Sequence, residues 1–333
     1  MTELTLPNTP KIPLARYLKQ APDAFDQVSV QADSAVTVSQ TAAAWPVRSA
    51  VDAWLGAPPV TEVFIPAGYH AEAPVQVTGP QTGSALVILH VGAGAHVRLQ
   101  DRWATSGQQL GVGVLLELAA NAEVDWLTYD AFTAHTAIVQ RTAELADHAK
   151  LNWTVAGFAQ NSGASLLTVN LNGTGSQATI NVGVLASGSQ HVGYTTAMTN
   201  NGRQTQGHIN QRGVIVGKAH LIFNGIGHII KGARGSDNQQ ENRVLMLGSK
   251  ARGDANPILL IDENDVTAGH AASVTRVDRT QLYYLMSRGL PESLAKRLVI
   301  RGFLEAGLLE ITDPALKQAL FKQIDETLVM ADA

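Results

Sequence analysis

Gly94-Ala95-His96-Val97, Asn121-Ala122-Glu123-Val124 and His148-Ala149-Lys150-Leu151 decide the architecture of this 333-residue chain. Each sets small or polar residues, then Ala, before a strand-like run. Ala95 and Ala122 stand 27 residues apart, and Ala122 and Ala149 again 27. Gln177-Ala178-Thr179-Ile180 reads as a fourth copy after 29 residues, with looser copies at Lys218-Ala219-His220-Leu221 and Lys250-Ala251-Arg252. A fixed period of this length marks a stacked array, in which each repeat buries its apolar face only against its neighbours.

Between the marks run short segments with period-two alternation, rich in β-branched residues, such as Ala178 to Leu185 and Gly207 to Val216. Turn clusters at residues 172–176, 187–189 and 200–202 separate them. About two strands per 27 residues predicts one coil of a β-solenoid, with inward Val, Ile, Leu and Ala in continuous columns. The recurring Ala is expected at a corner, where stacked backbones crowd. A large antiparallel sandwich or barrel is the rival, but it does not account for two equal intervals. The fold class predicted is therefore mainly β, with a parallel β-helix core over 78–277. Residues 1–77, broken by Pro7, Pro10, Pro13, Pro46, Pro58 and Pro59, form a mixed region whose role is not readable. Residues 278–333 read as helical: Thr280 to Ser287, Glu292 to Leu304 and Asp313 to Met330. The last starts with Asp313 as N-cap and Pro314 at the first helical position. Its stripe of Leu316, Leu320, Ile324 and Leu328 is expected to cover the solenoid end or to face a partner.

Composition narrows the function. Hydrophobic residues are 45%, so a long core can be buried, whereas charged residues are 16% and aromatics 5%. A formal charge of -4 with no basic run argues against nucleic-acid binding. No stretch reaches the roughly 18 apolar residues of a membrane span, and Met1-Thr2-Glu3-Leu4 does not open a signal peptide. The chain reads as cytoplasmic. With no cysteine, disulfides, thiol catalysis and any cluster ligated by sulfur from this chain are excluded.

From Arg212 to Leu290 the chain carries, in order, Arg212-Gly213-Val214, Ala219, Phe223, Gly225, Ile229, Gln239, Asn242, Leu245, Leu247, Ala251 and Pro257. Leu259, Ile261, Asp265-Val266 and His270-Ala271-Ala272 follow, and Tyr283-Tyr284-Leu285-Met286-Ser287-Arg288-Gly289-Leu290 closes the run. This order resembles the SufB/SufD family of iron–sulfur cluster assembly scaffold proteins, and the SufD branch more closely. Weaker similarity extends from about Ala95 to the C-terminus. The resemblance implies a right-handed parallel β-helix followed by a small helical region. It also implies a non-catalytic scaffold role with two partners. A SufB-type subunit would pair through the solenoid edges, and a SufC-type ATPase would dock on the C-terminal helical region. Tyr283, Tyr284, Ser287, Arg288 and Gly289 are the expected docking residues.

The departures are specific. The SufD branch commonly reads Asp-Asp-Val-Lys-Cys-x-His-Gly where this chain reads Asn264-Asp265-Val266-Thr267-Ala268-Gly269-His270-Ala271. Ala268 occupies the cysteine position, and Ala271 the place of the carboxylate in the SufB branch. His270 alone remains of the family's ligands, and one imidazole cannot hold a cluster. The implied arrangement binds no cofactor on this chain alone, with His270 supplying one ligand to iron or a cluster at a shared interface. The N-terminal stretch shows no copy of the aromatic-rich helical segment of full-length members, which implies a shorter or diverged relative. A β-helix homodimer that has lost the assembly role is the second reading, since an uncapped edge is a pairing template. A carbohydrate-active β-helix enzyme is the third. It would need converging carboxylates with aromatic platforms, and Asp125, Asp130 and Glu144 are too scattered for that.

Other motifs read as structural. Asp262-Glu263-Asn264-Asp265 lacks the Gly of a calcium loop and reads as a solvated acidic turn. His191, His208, His220 and His228 show no metal-ligand spacing. Gly111-Val112-Gly113 and Gly225-Ile226-Gly227 precede no helix, so close backbone approach is the expected reason for them.

Overall fold

The 27-residue interval is one turn of a parallel β-solenoid. The computed structural model, which describes residues 5–41, 45–71, 73–308, 311 and 314–332, is 52% strand and winds through about eight turns. The first strands are β1 (Ser29–Gln31), β2 (Thr37–Thr41), β3 (Val60–Ile65), β4 (Val75–Thr78), β5 (Ala85–Val91) and β6 (His96–Trp103). Then come β7 (Ser106–Leu118), β8 (Glu123–Asp130), β9 (Thr133–Leu145), β10 (Lys150–Gly157), β11 (Gln160–Leu171) and β12 (Gln177–Ala186). The last are β13 (His191–Asn200), β14 (Gln206–Val216), β15 (His220–Ile229), β16 (Asp237–Leu247), β17 (Arg252–Ile261) and β18 (Thr267–Arg276). Sheet one runs β1-β4-β6-β8-β10-β12-β14-β16-β18, and sheet two runs β17-β15-β13-β11-β9-β7-β5-β3-β2. The β1–β4 and β2–β3 pairs are antiparallel, and the coils from β3 onward stack in parallel.

In-register stacking puts like positions above one another. His96, Glu123, Lys150 and Gln177 pair in succession, so the corner before each strand is Ala95, Ala122, Ala149 and then Ser176. This corrects the fourth copy: Ala178 pairs with Leu151, inside the strand, and Ser176 is the true counterpart. The corner selects small volume rather than Ala as such. Later coils place Ser176, Thr205 and Ser236 there, all buried. Their hydroxyls are satisfied locally: Ser176 Oγ donates to the Gly173 carbonyl at 2.8 Å, and the Thr205 and Ser236 hydroxyls lie 2.8 Å apart. Ala219 and Ala251 mark the equivalent corner of sheet two, before β15 and β17.

Both sheet faces are buried over much of the length, which is why runs such as Leu86-Val87-Ile88-Leu89 are apolar throughout rather than alternating. Inward residues fill the lumen, including Trp126 and Trp153, stacked at 4.0 Å between ring centroids. On the outside of sheet two lies the N-terminal segment with α1 (Leu14–Tyr17) and α2 (Ala50–Leu55). Its Ile12, Leu14, Trp45, Val51 and Leu55 pack on Leu86, Ile88, Leu115, Ile138, Leu166 and Ile222. After β18 come α3 (Arg279–Ser287), α4 (Glu292–Glu305) and α5 (Pro314–Asp332). Leu320, Ile324 and Leu328 of α5 pack with Ile300 and Leu304 of α4 against Phe158, Leu185, Val214 and Leu245. The stripe thus covers a flank of sheet one. The expected cap at Asp313 and the Leu316 side chain lie outside the described residues.

Candidate functional site

The two sheets end together. β17 and β18 are the outermost strands of their sheets at the same end, bonded to β15 and β16 on one side and, among the described residues, to no strand on the other. The lumen changes character as it approaches this end. Where β10 presents Leu151, Trp153 and Val155 inward, β16 presents Asn238, Gln240 and Asn242, each buried. On the opposite wall Gly225 and Gly227 make room: a methyl group at either would collide with these amides. The glycines of residues 225–227 therefore admit side chains, not the close backbone approach expected from sequence. Gln240 Nε2 donates to the Ile258 carbonyl at 2.9 Å, and Gln211 Nε2 to Asn242 Oδ1 at 2.9 Å. Asn238 Oδ1, Gln240 Oε1 and Asn242 Nδ2 have no partner among the described residues.

His270 stands next in this column. It pairs with Gln240, flanked by Ala268 over Asn238 and Ala272 over Asn242. It therefore occupies an inward position on a coil that no strand among the described residues covers, and it is exposed. Among the described residues no three His, Cys, Asp or Glu side chains converge as a metal site. His270 is a single imidazole at an open mouth.

The second predicted group sits on the adjoining shoulder. Asp278 Oδ1 caps α3 by accepting from the Thr280 N–H at 2.8 Å. No residue of α3 is buried; Tyr283 is 73% exposed and Tyr284 57%. Neither ring anchors the helix. Arg288 lies over the Tyr284 ring at 5.3 Å, Ser287 Oγ donates to the Tyr284 carbonyl at 2.8 Å, and Gly289 turns the chain with φ +90°. Between this helix and the solenoid runs a groove of about 630 Å³, lined by Val216, Met246 and Leu247 together with Arg276, Arg279, Glu292 and Lys296, the last two ion-paired at 3.0 Å. The structure places His270 and the tyrosines on the same end of the molecule, on consecutive elements.

The sequence reading missed a buried charge cluster. Arg141 is fully buried and donates to Asp130 twice, at 2.7 and 2.9 Å, and to Asp101 at 3.1 Å. Asp101 also accepts from Trp103 at 2.7 Å, Trp126 at 2.8 Å and Thr128 at 2.6 Å. Burial pushes the Asp130 carboxyl up despite the attraction of Arg141. Burial alone would lower the guanidinium, but the two carboxylates outweigh it and raise it. The signal was present in the alternation: Val139, Arg141, Ala143 and Leu145 share one parity, so Arg141 points inward. Asp125 is exposed and Glu144 faces Arg48 outside, so the three carboxylates considered for sugar chemistry do not meet.

The other motifs resolve as neighbour-coil pairs. His208 meets Asp237 at 3.1 Å, His220 meets Asp254 at 2.6 Å and His228 meets Asp262 at 2.9 Å. Glu263 folds back to accept from the Gly232 and Asn264 N–H groups, at 3.0 and 2.9 Å, which is the acidic turn expected.

Comparison with known proteins bears on this geometry. The family model for the SufBD core domain of the SUF system of FeS cluster assembly matches residues 76–303. The chain belongs to the SufBD family. The iron–sulfur cluster assembly protein SufD of Bacillus subtilis is 46% identical over 190 residues, 57% of this chain and 44% of that protein. A SufBD family protein of Mycobacterium leprae is 30% identical over 168 residues, 50% of this chain and 19% of its own length. One from Mycobacterium tuberculosis is 38% identical over 116 residues, 34% of this chain and 29% of its own. The matched stretch thus spans less than half of each of these relatives. The likeness to SufD drawn from Arg212 to Leu290 holds, and the SufBD match takes in His270 and α3 together.

Proposed function

We propose that this chain is a non-catalytic scaffold subunit of a Suf-type iron–sulfur cluster assembly complex. In this reading the last coil pairs with a SufB-type subunit, and α3 with its groove docks a SufC-type ATPase. Iron or the nascent cluster is cargo, with His270 as this chain's ligand at the junction and the remaining ligands from the other subunit. The observation that carries the reading is the end coil. Residues 267–275 of β18 contain no Lys, Arg, Asp, Glu or Pro, the usual devices that keep a free edge from pairing. Val274 on β18 is 39% exposed, and Leu260 and Ile261 near the end of β17 are 43% and 42% exposed. The exposed tyrosines and the groove arginines Arg276 and Arg279 support a protein surface on α3, since Tyr and Arg are enriched at interface centres.

Co-purification of the tagged full chain with SufB-type and SufC-type proteins tests this. Val274→Lys should lose the SufB-type partner and keep the ATPase; Tyr283→Ala with Tyr284→Ala should do the reverse. If the wild-type chain retains neither and elutes at twice its mass, the scaffold role fails and the homodimer becomes the better account.

A further inference from the structure

The terminal coil of a solenoid has one neighbour instead of two, so it should open most easily. In this chain the N-terminal segment bridges that coil to the middle of the solenoid. Its far end touches the last coils. Asn224 Nδ2 on β15 donates to the Pro10 carbonyl at 3.1 Å. Lys11 Nζ lies 2.5 Å from Asp254 Oδ1 on β17. Asp254 is shared, because its other oxygen lies 2.6 Å from His220 Nε2. Lys11 adopts φ +62°, a left-handed conformation that a non-glycine residue rarely takes without outside restraint.

The rest of the segment fastens lower down. Ile12 fills the space left by Gly193 on β13, where any side chain would overlap it. Tyr17 Oη lies 3.2 Å from His191 Nδ1. Further on, Asp23 Oδ2 accepts from the backbone N–H groups of Gln108 and Gln109 on β7, at 2.7 and 3.1 Å. One short stretch therefore ties β17 to β7 across coils that do not touch each other.

We propose that residues 5–24 are a strap latched to β17 by Lys11, and that this latch keeps the last coil closed and in register for a second chain to pair with. The second clause rests on the proposed pairing role of that coil; the latch itself does not. Releasing the strap loosens β17 and β18, and a partner that needs both strands ordered then binds more weakly. By reciprocity, a bound partner holds the strap down.

Hydrogen exchange on the full-length chain, without partners, tests the latch. Lys11→Ala and Asp254→Ala should raise exchange in residues 10–20 and in β17 and β18 about two- to fivefold, the scale of one partly exposed ion pair. β7 to β11 should not change. Gly193→Leu gives a second route, since it displaces Ile12 without touching β17, and it should produce the same pattern. Lys150→Ala, which removes an ion pair with Glu123 elsewhere on the surface, is the control. A freed strap with β17 and β18 unchanged would overturn the proposal, and so would an unmoved strap in Lys11→Ala. Affinity for a SufB-type subunit is measured separately. Latch variants that pair as tightly as wild type refute the linkage. A wild-type chain that pairs with nothing refutes the pairing reading, while the exchange data still judge the latch.

Discussion

Replacing Arg141 with Ala should be among the most damaging single changes in this protein, and its cost should depend on pH in a direction opposite to ordinary acid denaturation. The side chain is fully buried, with Asp130 and Asp101 also buried beside it. Removing the guanidinium deletes three charge-assisted hydrogen bonds and leaves two carboxylates in the lumen with no cation. Breaking a buried ion pair from one side costs about 3–5 kcal/mol, a large share of the 5–15 kcal/mol that typically holds a domain together. The stranded Asp130 carboxyl, which burial already pushes up, should take up a proton, so its folded-state pKa rises further above the unfolded one. A raised carboxyl pKa means the folded state binds more protons, and stability then falls as pH rises through the interval between the two values. Each such group contributes up to about 1.4 kcal/mol per pH unit. Arg141→Ala should therefore be most stable near pH 4–5 and weaken toward neutrality, whereas wild type should show much less of this slope. Urea unfolding followed by tryptophan fluorescence suits the question, because Trp103 and Trp126 both donate to Asp101. A loss below about 1 kcal/mol, the worth of an exposed pair, with no change of slope between pH 5 and 8 would refute the account of the cluster.

Three further outcomes are expected. Asp254 is held below the usual carboxylate range because hydrogen bonds from Lys11 and His220, with their charges, outweigh burial. Its stabilising share is present above the unfolded pKa near 4 and is lost as pH falls through the lower folded value. Strap exchange should therefore rise only in that acidic window, with His191 and Arg252 as the other titratable or charged neighbours. Trp153→Ala, which empties a fully buried stacked position, should cost about 3–5 kcal/mol in unfolding measurements. Ser176→Ala should cost about 1 kcal/mol, since the corner keeps its size and loses one hydrogen bond, whereas Ser176→Val should cost clearly more by crowding adjacent coils.

The solenoid was legible because a single steric demand, smallness at a corner, recurs at the coil period as Ala95, Ala122 and Ala149. The reading slipped at Ala178 because later coils meet the same demand with the short hydroxylated residues Ser176, Thr205 and Ser236 in place of Ala. His270 was legible only through family likeness, yet its inward position follows from the alternation of Ala268, His270 and Ala272. The strap was illegible for a physical reason. It has no period of its own, and its apolar contacts at Ile12 and Leu14, like those of Trp45, Val51 and Leu55 further along the N-terminal segment, follow the surface of sheet two. Gly193, Gly111 and Gly113 are the complementary record: they are small where Ile12, Leu55 and Trp45 lie against the sheet. That correspondence appears only once the chain is folded.

The end coil also links the two proposed surfaces. Three buried amide atoms without partners would each cost about 1–3 kcal/mol, and Asn238, Gln240 and Asn242 place all three in the coil directly beneath His270. An end built only to terminate the solenoid would do better with the leucines and valines of the earlier coils. β18, which carries the unprotected edge, reaches α3 through only Val277 and Asp278, and Asp278 caps that helix. In the proposed reading, a chain paired with β18 would lie beside the short linker from which α3 leaves the solenoid. The proposed pairing edge and docking helix are therefore neighbours along the chain, and Val274→Lys tests whether they act independently.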